Sequence, residues 1–268
     1  AVMTGNTNGL SATPSQYNGN PDRPVERISW DDIQVFLNRL NSQESNNTAA
    51  GWEYALPTEA EWEYACRANT TTAYFWGNSI SASNGNYGHN IGQTQNIGQY
   101  TANSWGFYDM HGNIWEWVAD WYQANAHSGN LVIDPVGPNL GSNKILRGGA
   151  WDAYNQSNLR SARRSDLAPT FRSHALGFRL ALRQVSLPPT DLNSTAPLTI
   201  AENQPIGTIV GDFNATDPDA NATLTYHLVS GVGDSHNSLF TLNHLNLDTT
   251  PSLLVWLDGN DSSSIRKD

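Results

Sequence analysis

Residues 105–121 read WGFYDMHGNIWEWVADW, and four of the chain's ten tryptophans (Trp105, Trp115, Trp117 and Trp121) fall within them. Each indole buries a large area and its N–H needs an acceptor, so aromatics at this density mark the centre of a core. Interleaved with them are Asp109, Asn113, Glu116 and Asp120, oxygen-bearing side chains that an apolar core does not require. Two explanations stand. Calcium takes carboxylates and carbonyls that a glycine-containing turn bends around it, and Asp109 and Glu116 with main-chain oxygens near Gly112 and Ile114 would form such a cage. Alternatively, Asp109 caps a turn and Glu116 pairs with an arginine. The spacing is not that of an EF-hand loop, so the residues leave both open.

Upstream of this centre the sequence predicts two helices. Ser29 stands as an N-cap with Asp32 three residues on, the reciprocal capping-box arrangement. Ile33, Phe36, Leu37 and Leu40 then recur at helical spacing, predicting an amphipathic helix over 30–41. Residues 42–51 form a polar connection, and 52–56 (WEYAL) suit a short strand. Thr58 and Glu61 repeat the start signal for a second helix, with Trp62, Ala65 and Cys66 on one face. Cys66 reads as a nucleophile or as a small buried thiol, and apolar neighbours on both sides favour the latter. Residues 69–104 keep no period, and so long an irregular segment inside a compact domain needs a reason such as a bound ion or a binding surface. Asn86, the Tyr87 carbonyl and Asn90 would help hold a second cation there. His89 and His111 read as turn residues, and the seven histidines show no metal-ligand spacing.

Downstream, the turn-rich 134–138 (DPVGP) leads to KILRGGAW at 144–151, a strand running into a glycine pair that permits a bulge or a close backbone approach. A loop around Pro169 follows, and a closing strand is predicted over 176–182. Eight of the twelve basic side chains in residues 1–185 lie between Lys144 and Arg183. Some of these must answer the acids of the tryptophan-rich centre, or, for Arg163 and Arg164, face a ligand.

A chain of 268 residues suits one large or two modest domains. Its 14 basic and 25 acidic residues give a net charge of −11, which argues against nucleic acid or an anionic membrane as the main partner. Only 15% of residues are charged while Gly, Asn, Ser and Thr abound, the composition of an exported, loop-rich surface protein rather than a cytosolic enzyme. One cysteine permits neither an internal disulfide nor a cysteine-based zinc site. No apolar run approaches the length of a membrane span, and residues 1–13 lack the basic start and apolar middle of a signal peptide. The leader of an exported chain would therefore lie upstream of Ala1, and the sequence is expected to begin inside a domain.

The composition changes at VSLPPT (185–190), where Pro-Pro marks a linker over 184–197. Beyond it, 198–202, 207–215 and 223–229 alternate as strands between turns, so 198–268 is expected to be an all-β sandwich. From Ser186 onward there are ten acids and two bases, a net −8.

Taken in order, RPVERISWDDIQVFLNRL (23–40), GWEYALPTEAEWEYACRA (51–68), NYGHNIGQT (86–94), GFYDMHGNIWEWVADW (106–121), ILRGGAWDAY (145–154), LRSARRS (159–165) and LGFRLAL (176–182) resemble the formylglycine-generating enzyme (sulfatase-modifying factor) family over residues 1–183. The resemblance implies an α+β, C-type lectin-like fold with two helices, short irregular strands and long loops. It also implies a calcium site at Asp109, Gly112, Ile114 and Glu116, and a second beginning at Asn86 and Tyr87, whose completing loop is shortened here. The family's enzymes hold copper through two cysteines just after the Gly-Gly strand, because soft thiolates suit Cu(I). Here Ala153 stands near the first cysteine position, the second has no cysteine, and Ala150 replaces the usual serine, so no copper is expected. The family's N-terminal strands are not found in this sequence, and a chain that starts here would be expected to leave an open sheet edge for strand addition or homo-oligomer formation. Residues 198–242 resemble a cadherin-like repeat with Glu202, Asp217 and Asp219 at its acidic calcium positions. That repeat is incomplete after Asn243, and 253–257 have no assigned place.

These readings point to a non-catalytic, calcium-stabilised binding or scaffold domain of an exported bacterial surface or adhesion protein. Its glycan or protein ligand would meet Trp151, Asp152, Tyr154, Asn155, Arg163, Arg164 and Phe171, where the enzyme family holds substrate. The alternatives are a metal-dependent oxidase of the same family and a structural subunit of a surface fibre or sheath. A ligand-binding protein diversified by a retroelement also uses this fold.

Overall fold

The computed structural model describes residues 9–49, 51–126 and 134–185, together with Pro205, Thr208 and the strands 191–194, 209–216, 240–245 and 252–257. The chain divides into two units, Ala1–Gln184 and Val185–Asp268.

In the first unit both predicted helices form where their caps place them. In α1 (Trp30–Glu44) the Asp32 N–H donates to Ser29 Oγ at 3.1 Å and the Ser29 N–H returns to Asp32 Oδ2 at 2.9 Å. In α2 (Glu59–Arg67) the Glu61 N–H donates to Thr58 Oγ1 at 3.1 Å and the Thr58 N–H to Glu61 Oε2 at 2.7 Å. Helix α1 runs to Glu44, past the predicted end at 41. There the Asn41 amide clips both polar groups of the Tyr54 backbone, at 2.9 and 2.8 Å, fastening the last turns to β1 (Trp52–Ala55).

The tryptophan-rich stretch is half loop, half strand. Its second half is β2 (Trp115–Trp121), which lies inside a sheet with β3 (Lys144–Arg147), β4 (Ser165–Leu167) and β5 (Leu176–Phe178) in the order β4-β3-β2-β5. Successive side chains of a strand point to opposite faces. Trp117 and Leu146 accordingly pack with Ile33 and Leu37 of α1, and Val118 and Ile145 with Trp62 and Cys66 of α2, so β2 is buried on both faces. Each of three indole N–H groups here has an acceptor: Trp117 donates to the Ile28 carbonyl, Trp30 to that of Val118, and Trp62 to Glu116 Oε2.

The closing segment predicted as one strand is two. Strand β5 runs parallel to β2, with Trp115 opposite Leu176. Residues 179–180 then carry the chain to β6 (Ala181–Gln184), which pairs antiparallel with β1 from Ala55–Ala181 to Trp52–Gln184. Parallel pairing across so long a connection leaves no local sequence mark.

Two further features fix the sheet. Lys144 is sandwiched between the rings of Trp30 and Trp121, 4.0 and 3.9 Å from their centroids, and donates to the Ala119 carbonyl at 2.7 Å. Burial lowers its pKa to about 8. Beyond β3, Gly148 and Gly149 take φ of 91° and 78°, and a Cβ on Gly149 would lie 2.9 Å from Leu159 Cγ.

The second unit contributes β7 (Asp191–Ser194), β8 (Ile209–Thr216), β9 (Phe240–Leu245) and β10 (Ser252–Leu257), antiparallel in the order β7-β8-β10-β9. Two expectations are corrected here. Residues 191–194, read as linker, are a strand, and 253–257, left without a place, sit in β10 between β8 and β9. The strand predicted over 207–215 is β8. Those predicted at 198–202 and 223–229, and the acids Glu202, Asp217 and Asp219, lie outside the described residues.

Candidate functional site

The loop half of the tryptophan-rich stretch turns through left-handed conformations at Asp109 (φ 57°), Gly112 (φ 106°) and Asn113 (φ 70°). This winding brings Asp109, Gly112, Ile114 and Glu116 to the wall of one cavity of about 330 Å³, which Arg179 also lines. Asp109 accepts the Gly98 N–H at 2.7 Å, and burial raises its carboxyl above the ordinary value. Glu116 receives Arg179 through both oxygens, Oε2 at 2.7 Å and Oε1 at 2.6 Å, while Oε2 also accepts the Trp62 indole. The arginine partner expected for Glu116 is Arg179, and the four positions named for calcium line one space. Hard oxygen donors of this kind fit calcium in type, and Arg179 supplies the positive charge that otherwise balances Glu116.

Asn86, proposed to open a second site, is buried and tied to the same loop: its carbonyl accepts the Asn113 N–H, and its Nδ2 donates to the Gln93 carbonyl at 2.9 Å. Its Oδ1 is buried without a partner in the protein, an orphaned acceptor that a cation would satisfy. The Tyr87 carbonyl accepts the Asn90 N–H at 3.1 Å. Among the described residues no group of three or more His, Cys, Asp or Glu is arranged to hold a metal, so the first site would need main-chain oxygens beside its two carboxylates, and the second would draw on amide and main-chain oxygens.

Thiolate copper does not fit. Ala153 is buried beside the glycine turn, and the one thiol, Cys66, lies on the buried face of α2 with 0% exposure, where burial pushes its pKa up to about 12. Its sulfur sits 3.6 Å from His111 Nε2, the partner a nucleophile pair would use, but the pair is sealed from solvent. His111 stands in the bending loop, as its reading as a turn residue had it, but its ring is buried among Tyr74, Phe75 and Trp76, its Nδ1 is 2.6 Å from the Leu159 carbonyl, and its Nε2 accepts the Phe75 N–H. Burial lowers its pKa to about 4.

The expected ligand face divides. Trp151 is buried at the centre of a ring group with Tyr17, His89 and His174 at 5.8, 4.9 and 5.2 Å between centroids. Tyr154 lies against His89 with the rings tilted, 4.6 Å between centroids, and Asp152 Oδ2 lies 3.7 Å from His174 Nε2. Asn155 caps the short 3₁₀ turn Gln156–Leu159 by accepting the Ser157 N–H. Arg164 is drawn away: its guanidinium holds Glu59 through Nε and Nη2, at 2.7 and 2.8 Å. Arg163 is exposed and lends its carbonyl to Arg147, and Phe171 is exposed. Among the described residues no hydrogen bond, ion pair or ring contact joins Arg163, Arg164 or Phe171 to the Trp151 group. Sequence reasoning missed Tyr17, Glu26, His174 and Arg179, which reach these sites from distant segments.

Residues 2–184 match the family model described as "Sulfatase-modifying factor enzyme 1-like domain". The formylglycine-generating enzyme of Streptomyces coelicolor is 31% identical over 185 residues, covering 62% of this chain and 55% of the relative. Among solved structures, Treponema denticola variable protein 1 aligns with a TM-score of 0.56 and 27% identity over 64% of this chain and 77% of that one. PvdO from Pseudomonas aeruginosa aligns with a TM-score of 0.55 and 26% identity, over 66% and 67%. The chain spans about half the length of the curated relatives it matches.

Proposed function

Given that the chain belongs to the sulfatase-modifying factor enzyme 1-like family, we propose that its first unit is a non-catalytic, calcium-stabilised binding domain of an exported bacterial surface protein. In this reading the second unit is an incomplete cadherin-like adhesion module and the fold of the first is C-type lectin-like. The observation that carries the proposal is the donor set. Oxidation of a thiol by a copper enzyme of this family rests on a pair of soft thiolates, and Ala153 with a sealed Cys66 offers none. What remains are hard oxygens at Asp109, Gly112, Ile114 and Glu116, and an aromatic group about Trp151.

The test joins metal analysis of purified protein to an equilibrium screen against glycans and peptides, with and without chelator. Calcium bound at stoichiometric level and a ligand whose binding chelator weakens are the expected results. The second reading, an enzyme of the formylglycine-generating type, draws on the relatives named so. Conversion of a thiol peptide to an aldehyde after loading with copper would establish it and end the first.

A further inference from the structure

We infer that the ring group around Trp151 is a seat for an organic cation, an alkylammonium or guanidinium head group on the ligand. This deepens the binding reading above and rests on it.

The rings come from four segments: Tyr17, His89, Trp151 with Tyr154, and His174. Trp151 forms the floor at 5% exposure and Tyr154 the rim at 79%, so one wall of the group opens to solvent. Two carboxylates attend it. Among the described residues the one ion-pair contact of Asp152 is with His174, at 3.7 Å. Glu26 is 0% exposed; its Oε1 accepts the Tyr17 N–H at 2.7 Å, the Gln16 backbone also acts on the carboxylate, and among the described residues its Oε2 makes no hydrogen bond.

Other buried acids of this unit are answered differently. Glu59 holds Arg164 and approaches Arg147, Glu116 holds Arg179, and Asp120 accepts the Glu59 N–H with Lys144 acting on it. Among the described residues no lysine or arginine forms an ion pair with Asp152 or Glu26; the field of exposed Arg27 reaches Glu26 without contact. Burial raises Glu26's affinity for a proton, as expected of a carboxylate without a counter-ion. Electron-rich ring faces beside uncompensated negative charge select for cations, and a desolvated cation gains most. His174 is the internal rival, packed on Trp151 and Tyr17 between the two acids.

The full chain, titrated with tetramethylammonium chloride at constant ionic strength and pH 7.5, should show a saturable shift of the Trp151 indole N–H resonance. The neutral isostere tert-butanol should give none. Asp152→Asn should weaken the titration about tenfold and Tyr154→Ala about fivefold. Glu26→Gln, which keeps the shape of the buried group, should weaken it as well, with thermal melting as the check on folding. A response to tert-butanol equal to that of the cation, or titrations unchanged in Asp152→Asn and Glu26→Gln, overturns the inference. Neutral glycans that bind through Tyr154 where tetramethylammonium does not overturn the cation seat and leave the binding domain standing. Silence at Trp151 toward cations, glycans and peptides alike overturns both.

Discussion

Replacing Glu116 by glutamine tests the centre of the first unit directly. Glu116 is 5% exposed, and its carboxylate takes Arg179 Nε and Nη2 at 2.7 and 2.6 Å and the Trp62 indole at 2.6 Å. Glutamine keeps a carbonyl for one of these donors but turns an NH₂ toward the guanidinium, so donor meets donor and Arg179 keeps its charge. Removing one side of a buried pair costs about 3–5 kcal/mol. The Arg179 side chain is 25% exposed, so water screens part of the loss and the lower end, about 3 kcal/mol, is expected. For a unit of this size that is a fall of about 6–12 °C in Tm. Nine of the ten tryptophans precede residue 185, so indole fluorescence follows this unit. A variant melting within about 2 °C of wild type would refute the reasoning. The same pair of proteins separates the arginine from calcium: a hundredfold excess of the ion over its Kd should stabilise wild type by about 2.7 kcal/mol and Glu116→Gln far less. Equal stabilisation of both would place any calcium elsewhere.

Cys66, buried with its pKa near 12, should resist a thiol-specific disulfide reagent at pH 8 and react fully once the chain is unfolded; rapid labelling of the native protein would contradict the burial. His111 titrates at about 4 when folded against an ordinary 6.5, so the unfolded chain takes up its proton first as pH falls. Its contribution is therefore intact above pH 6.5 and lost toward pH 4, about 3 kcal/mol in all, read from denaturant midpoints across that window. A flat profile in a protein whose His111→Gln variant is also flat would remove His111 from the account. Gly149→Ala forces a side chain onto a φ of 78° and to 2.9 Å from Leu159 Cγ, and should cost about 3 kcal/mol by chemical denaturation, while a change below about 1 kcal/mol would show that the turn relaxes.

What could be read without coordinates was what short-range chemistry writes down. Ser29 with Asp32 and Thr58 with Glu61 mark helix starts because each side chain bonds its own backbone three residues away. The burial of Cys66 followed from apolar neighbours one turn apart. The partners of the acids were not legible, since Glu116 and Arg179 stand 63 residues apart and Glu59 and Arg164 stand 105 apart. Arg163 and Arg164 looked equivalent in sequence, yet the structure commits only Arg164 to Glu59. The Trp151 group was half legible: Trp151, Asp152 and Tyr154 followed from the family position, whereas Tyr17, Glu26 and His174 belong to segments that carry no periodic signal. Residues 69–104 were expected to need a reason for their irregularity. Part of it is visible in the bonds that Asn86, Gly88 and His89 make to Asn113, Ala153 and Trp151, which bind that loop to the glycine turn.

The division of the closing segment between two sheets sets how the first unit would answer a pull. Force transmitted along the chain through Val185 arrives at Gln184, whose rungs to β1 break one after another from Trp52 toward Ala55. Only when that four-residue zipper is spent does tension reach Arg179, clamped on Glu116 in the sheet that bears the core. For load arriving through Val185 the short pair β1–β6 thus works as a mechanical fuse, yielding rung by rung before the clamp behind it is strained.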